Sequence, residues 1–150
     1  MPAPPDVPEV AARVRASFER QAFMATLGAR LESVEPGQVS IELPFRADLT
    51  QQHGFLHAGV VSAIADSACG YAALSLMPPG TAVLSVEFKL NLMKPAAGEV
   101  FRAVGKVIRA GRTLTVCGGE VSARHGGTES VIAVMQATMM TVRDRADLAD

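Results

Sequence analysis

The 150-residue chain contains no tryptophan, one tyrosine and six phenylalanines. A platform that stacks single-stranded nucleic acid needs aromatic faces set among cations, and this inventory argues against one. Neither sign of charge is in excess: 14 Lys and Arg stand against 15 Asp and Glu, a formal net charge of −1. With no basic stripe along any stretch, nucleic acid is not expected as the main partner. Cysteine is scarce as well. Cys69 and Cys117 are too few for a disulfide framework. They lie in an apolar and an alternating stretch, as small buried residues in a reducing compartment do. The N-terminus lacks the basic cluster and apolar run of a secretory signal, so a cytoplasmic protein is expected.

What is present suffices for one core. At 49% hydrophobic and 19% charged, the composition excludes a disordered chain, and 150 residues make a single domain. Four of the nine prolines fall in the first eight residues, which marks an extended leader. Val10, Val14 and Phe18 recur at four-residue spacing, which predicts a short amphipathic helix from about Pro8 to Gln21. From Ala29 the period changes: 30–35 and the alternating Val39, Ile41 and Leu43 read as two strands joined at Pro36-Gly37. Residues 50–59 are polar and glycine-containing, hence a loop.

Ala58 to Met77 is a run of twenty residues holding one charge, Asp66, and it stops at Pro78-Pro79-Gly80. Its length and apolarity meet the crude measure of a membrane span. A mid-segment carboxylate, however, costs about 2.5–3.5 kcal/mol at a bilayer centre, and no basic cluster flanks the run. No membrane span is expected. The segment reads as a central helix, apolar on nearly every side because it is buried on nearly every side. After Gly80 the chain alternates, and turn residues at 95–98, 109–112 and 125–128 cut it into strands near 81–94, 98–109, 112–124 and 129–142. Short hairpin loops make them antiparallel. The expected organisation is a leader and short helix over 1–22, an α+β domain over 23–142 and a polar, frayed tail over 143–150.

Asp66 needs an explanation. Its helical neighbours Ser62, Ala63, Cys69 and Gly70 are small and none is a cation, while a carboxylate taken from water is costly unless paired or hydrogen-bonded. One reading is a carboxylate satisfied by a sheet edge or a backbone donor. The other is a desolvated base or nucleophile, with small neighbours leaving room for a substrate chain. Ahead of the helix, His57-Ala58-Gly59 sits where amide N–H groups lack intrahelical partners and partial positive charge suits an oxyanion. Gly54 and Gly59 allow close backbone approach. From Ala58 to Asp66 is about 12 Å along a helix at about 1.5 Å per residue. If both act on one carbonyl they come from different subunits, with antiparallel helices across a two-fold axis. A homodimer with two interfacial sites follows.

Gln51, His53-Gly54-Phe55-Leu56-His57-Ala58-Gly59, Asp66 seven positions on, the strand Val83–Phe88 and Met93-Lys94-Pro95-Ala96-Ala97-Gly98 together resemble the hotdog-fold acyl-CoA thioesterases, and most nearly the PaaI-like branch of phenylacetate degradation. The likeness spans about 23–142 and is sharpest over 51–70. It implies a hotdog fold, an antiparallel sheet of about six strands wrapped around one long helix. It implies Asp66 as the base that activates water or as the nucleophile, and the Ala58 amide, where most relatives have Gly, as the group that polarises the carbonyl. His57 would border that site and Gln51 would help place water or carbonyl. His53, Gly54 and Gly59 would form the substrate-binding loop. Ser85 matches a strand hydroxyl used in some members, although its parity with Glu87 and Lys89 aims it outward unless a bulge turns it. The family acts on acyl-CoA, needs no metal or other cofactor, and is generally a tetramer of paired dimers.

Other chemistries have weaker support. His53 and His57 with Asp66 suggest a metal site, but Gly54 and a helix start near His57 keep the two histidines off one helical face. Cys69 has no local histidine to activate it, and no Gly-x-Ser-x-Gly elbow occurs. Lys94, Arg109 and Arg112 read first as solvated charges, with coenzyme A phosphates as the alternative. The seven methionines read as core filler, with Met24 or Met77 as alternative lining of an acyl pocket. Two rival functions remain: a hydratase or dehydratase of enoyl thioesters, and a non-catalytic acyl-CoA-binding module.

Overall fold

The computed structural model describes residues 6–148 and 150; most of the expected proline-rich leader, residues 1–5, lies outside them. Helix α1 (Val7–Arg20) starts with proline in its first turn, carries Glu9 there and Arg20 in its last turn, and buries Val14 and Ser17. A second helix, α2 (Ala22–Leu27), follows at once and ends on Gly28 at φ 75°, the left-handed cap that glycine adopts without a Cβ penalty. Six residues are too few to display a period, so this element is invisible in the sequence.

Strands β1 (Arg30–Glu35) and β2 (Gln38–Pro44) form the expected hairpin, and β3 (Ala82–Leu92), β4 (Val100–Ala110), β5 (Leu114–His125) and β6 (Thr128–Val142) lie within two residues of their expected bounds. All six make one antiparallel sheet in the order β1-β2-β4-β5-β6-β3. Helix α3 (Ala58–Leu74) lies against it. The helix stops three residues short of Met77, where the Ser75 hydroxyl donates to the Ala72 carbonyl at 2.6 Å and accepts from the Gly37 N–H at 2.7 Å. Val61, Ile64, Ala68 and Ala72 of α3 face Ile41, Phe101, Val121 and Met139 of the sheet, all with at most 1% exposure.

Two glycines decide how close helix and sheet come. Gly105 and Gly119 are cross-strand partners on β4 and β5. A Cβ on Gly105 would lie 2.3 Å from the Ala68 carbonyl and 2.4 Å from the Cys69 nitrogen, and one on Gly119 would lie 2.9 Å from the Cys69 sulfur. The backbone of α3 therefore rests on the strands themselves. Because helix backbone cannot yield as a side chain does, Gly105→Ala should cost about 3 kcal/mol, the upper end of usual overpacking penalties, read as a lowered midpoint in urea. Gly119→Ala meets a side chain and should cost less.

Two expectations are corrected. Among its described residues the tail is tied to the domain rather than frayed. Residues 146–148 form a 3-10 turn, and Asp150 accepts from Ser17 at 2.8 Å while Arg13 donates to the Asp150, Met77 and Thr81 carbonyls at 3.1, 2.9 and 2.9 Å. Nor does β3 keep one parity. The register shifts between Ser85 and Glu87, so that Ser85 faces Met139 and Phe88 faces Ala137. Val86 is the extra residue of a β-bulge. Upstream of it Val83 and Ser85 face the helix, and downstream Phe88, Leu90 and Leu92 do.

Candidate active site

Helix α3 is not covered all round. Gly59, Ser62, Ala63, Asp66, Ser67 and Gly70 recur at helical spacing and none is buried, so one stripe lies clear of the chain's own sheet. Asp66 stands in the middle of it. It is half-buried rather than fully buried, and it is not a lone charge: the Ser85 hydroxyl donates to Asp66 Oδ1 at 2.7 Å. The bulge at Val86 makes this contact, because without it Ser85 would point away from the helix. The other carboxylate oxygen, Oδ2, has no hydrogen-bond partner among the described residues. Asp66 and Ser85 open on a cavity of about 430 Å³ whose other walls include Ser17, Arg20, Gln21, Ser67 and Tyr71.

The loop before α3 is built from its own backbone. The Gln51 N–H donates to the Phe55 carbonyl at 2.8 Å and the Gly54 N–H to the Gln51 carbonyl at 3.0 Å, with Gly54 at φ 83°. His57 caps the helix: its Nδ1 accepts from the Gly59 N–H at 2.8 Å, and its carbonyl accepts from Val60 and Val61 at 2.9 and 3.2 Å. A Cβ on Gly59 would sit 2.9 Å from that Nδ1, so the cap needs glycine there. The Ala58 N–H alone in this first turn has no partner among the described residues. It projects at the positive end of the helix, where an oxygen that gains negative charge is stabilised.

Ala58 and Gln51 share a second cavity of about 430 Å³ with Phe55, Val61, Met93 and Lys94. No residue lines both this space and either cavity beside Asp66. Within one chain the carboxylate and the free amide therefore face separate spaces, as their separation along α3 requires. His53 and Gly54 are exposed and line none of the three; the His53 N–H donates to Gln51 Oε1 at 2.5 Å. Gly59 borders a smaller cavity, about 260 Å³, with Phe23, Met24 and Asp66. Among the described residues no three His, Cys, Asp or Glu side chains gather as a metal-binding group, and no helix is long and apolar enough to cross a membrane.

Both cysteines are buried and unpaired. Burial pushes the Cys69 thiol up, with Cys117 and Asp66 nearby adding to the shift. Burial alone pushes Cys117 up to about 11. Neither supplies a thiolate near neutral pH. Iodoacetamide at about pH 8 should leave both unmodified in the folded chain, and intact-mass spectrometry reads the result.

The thioesterase superfamily model matches residues 53–130, more than half of the chain. The chain belongs to this superfamily. A thioesterase family protein from Silicibacter pomeroyi is similar at 53% identity with a TM-score of 0.88, over 89% of this chain and 98% of that one. The E. coli PaaI protein of the phenylacetic acid degradation operon shares the fold at TM-score 0.78 and 20% identity, over 89% and 93% of the two chains. The architecture is thus the hotdog fold. A Saccharolobus solfataricus protein provisionally named an esterase is 31% identical over 90 residues, 60% of this chain and 64% of that relative's length. The 1,4-dihydroxy-2-naphthoyl-CoA hydrolase of Listeria monocytogenes is 23% identical over 80% of this chain and 95% of that one.

Sequence reasoning missed six polar residues that line the cavity beside Asp66: the uncharged Ser17, Gln21, Ser67 and Tyr71, and the charged Arg20 and Asp150. Gln21 joins α1 to α2, and its amide lies within hydrogen-bond distance of Tyr71 and Ser67, 50 and 46 residues away. Only the polarity of Ser67, next to the one charge of the run, hinted at them.

Proposed function

We propose that this thioesterase-superfamily chain hydrolyses acyl-CoA or aryl-CoA to the free acid and coenzyme A, at two sites shared between the copies of a homodimer. The observation that carries the reading is the Asp66–Ser85 pair opening on a cavity, together with the unpartnered Ala58 N–H. Asp66 Oδ2 takes a proton from water as the water oxygen attacks the thioester carbonyl carbon. The Ala58 N–H of the second copy receives the oxyanion. The intermediate collapses, the carbon–sulfur bond breaks, and the coenzyme A thiolate takes the proton back from Asp66. Ser85 holds Oδ1 and so fixes which oxygen faces the water, and Gln51 Nε2 reaches the carbonyl or water beside Ala58. His57 holds the helix start in shape. Gly59, and on the loop His53 and Gly54, give the thioester its approach. No metal or other cofactor takes part in these steps.

Strand β3 supports the dimer. It is an edge strand, and Leu84, Val86, Phe88 and Leu92 are 43–54% exposed along it. An exposed apolar edge is a template for pairing. Two such edges meeting antiparallel carry two α3 helices past each other in opposite directions, and Asp66 of one copy approaches Ala58 of the other. The family resemblance extends this to a tetramer of paired dimers. Two free buried thiols accord with a reducing cytoplasm.

Thiol release from a panel of alkyl and aryl CoA esters tests the reading. Turnover of several esters supports it. Enoyl-CoA hydration without thiol release would replace it with the hydratase, and tight binding with neither reaction would replace it with a binding module. Ser85→Ala should lower kcat about 10- to 100-fold with little change in KM, the worth of a hydrogen bond to a charged group. An unchanged kcat would show that Oδ1 needs no such partner.

A further inference from the structure

The apolar side chains of the β3 edge do not say how far along that edge a second copy sits. Its charges do. Downstream of the bulge, Glu87 and Lys89 share the outer face of the strand, and both are exposed. Glu87 Oε1 accepts from the Thr138 hydroxyl at 2.6 Å, but neither residue has an ion-pair partner among the described residues. Residues directly opposite in an antiparallel pair share a face, so a two-fold axis between two β3 edges passes through a residue. An axis at Glu87 opposes two glutamates and one at Lys89 opposes two lysines, which is destabilising. An axis at Phe88 sets Glu87 of each copy opposite Lys89 of the other, and two ion pairs form. Every other register leaves both charges unanswered.

The packing of α3 selects the same residue independently. Strand β3 runs antiparallel to the open stripe of the helix: Ser85 bonds Asp66, Phe88 shares a cavity with Gly59, Ser62 and Ala63, and Leu92 shares one with Ala58 and Val61. Phe88 thus lies beside Ser62, midway between Ala58 and Asp66 on α3. An axis there carries each Asp66 toward the Ala58 of the other copy. The bulge keeps the faces matched. With Val86 unpaired on each strand, Ser85 falls opposite Leu90 of the second copy and Val83 opposite its Leu92, all turned toward the helices. Val83 and Ser85 line the larger Asp66 cavity, and Leu92 lines the Ala58 cavity.

We propose that two copies of this chain pair through β3 with the two-fold axis on Phe88, a register fixed by two Glu87–Lys89 ion pairs that joins the Asp66 cavity of each copy to the Ala58 cavity of the other. Resting on the shared-site reading above, this register gives each joined space one Asp66–Ser85 pair and one free Ala58 N–H. Glu87 and Lys89 point away from those spaces and are positioning residues. They also make the edge self-selective. A chain with one sign at both positions is repelled by its own kind and drawn to a chain with the other sign.

Cysteine cross-linking of the full chain reads the register directly. Opposed Cα atoms lie about 4.5–5.5 Å apart, within disulfide range. Positions two residues out of register lie about 8 Å apart, beyond it. Phe88→Cys should therefore link to its own copy under mild oxidation. Glu87→Cys should link to Lys89→Cys when the two chains are refolded together, and neither should link to itself; a non-reducing gel reads all arms. The native chain, whose two thiols are buried, is the blank. If Phe88→Cys fails to fold by circular dichroism, the mixed pair decides alone. Charge exchange checks the ion pairs. Glu87→Lys and Lys89→Glu should each raise the dimer Kd about 10- to 100-fold at low salt, and their equimolar mixture, with Lys opposite Glu at both pairs, should sediment as the native dimer does. Self-linked Glu87→Cys or Lys89→Cys, no link in any arm, or a mixture no tighter than its parents would each overturn the register, while thiol release would leave the thioesterase reading standing. A dimer linked as expected that releases no thiol from any acyl-CoA keeps the register and sinks that reading.

Discussion

Asp66→Asn should lower kcat for acyl-CoA hydrolysis about 10²- to 10⁴-fold, the usual worth of a positioned general base, in a chain that still folds. The substitution keeps the volume and an oxygen for the Ser85 hydroxyl, now 2.7 Å from Oδ1, but the amide cannot take a proton from water. Because Asp66 is half-buried on a stripe of α3 that the chain's own sheet leaves clear, nothing in the core depends on its charge. The unfolding midpoint should stay level or rise. Steady-state thiol release and thermal unfolding of the same preparation check both halves. Retained turnover in a folded protein would remove Asp66 from the chemistry, and lost activity with lost fold would recast it as structural. Single turnover in ¹⁸O-labelled water then tests for a nucleophile: label in Asp66 marks an acyl-enzyme anhydride opened at the aspartyl carbon.

Much of this site was legible in the sequence because its strongest signal is local. One carboxylate in twenty otherwise uncharged residues, preceded by a glycine-bearing loop at a helix start, announces itself without any contact being known. The strands were equally open to reading, since their alternation and turns are short-range properties. Ser85 was not. Counting parity from Leu92 back to Leu84 places it with Glu87 on the outer face, and only the register against Met139 reveals the inserted Val86. Nor did apolarity reveal how α3 is covered. The run as a whole read as buried on nearly every side, whereas Ser62, Ala63 and Gly70, the small neighbours read as leaving room for a substrate chain, line a stripe left open beside Asp66. The wall made by Gln21 was hidden for a third reason. It depends on a six-residue helix too short to show a period and on partners about fifty residues away.

Ala58→Pro should be nearly as damaging, about 10²- to 10³-fold in kcat, the loss seen when one oxyanion donor is removed. This substitution takes away the N–H alone. Ala58 is the first residue of α3, the position where proline is favoured because its missing hydrogen would bond nothing within the helix. His57 before it has φ −61° and ψ 138°, the extended conformation that a following proline demands. Stability should hold, and thermal unfolding measures that. The variant also asks whether the two groups act across copies. Asp66→Asn and Ala58→Pro chains, mixed and refolded together, form mixed dimers in which one site has both lesions and the other has neither. With random pairing, about a quarter of native activity should return. If the groups acted within one chain, every site would carry one lesion and the mixture would stay as slow as its parents. Recovery on mixing therefore places the Asp66 carboxylate and the Ala58 amide on opposite sides of the β3 seam, and its absence in refolded dimers refutes the shared site even if each variant alone is inactive.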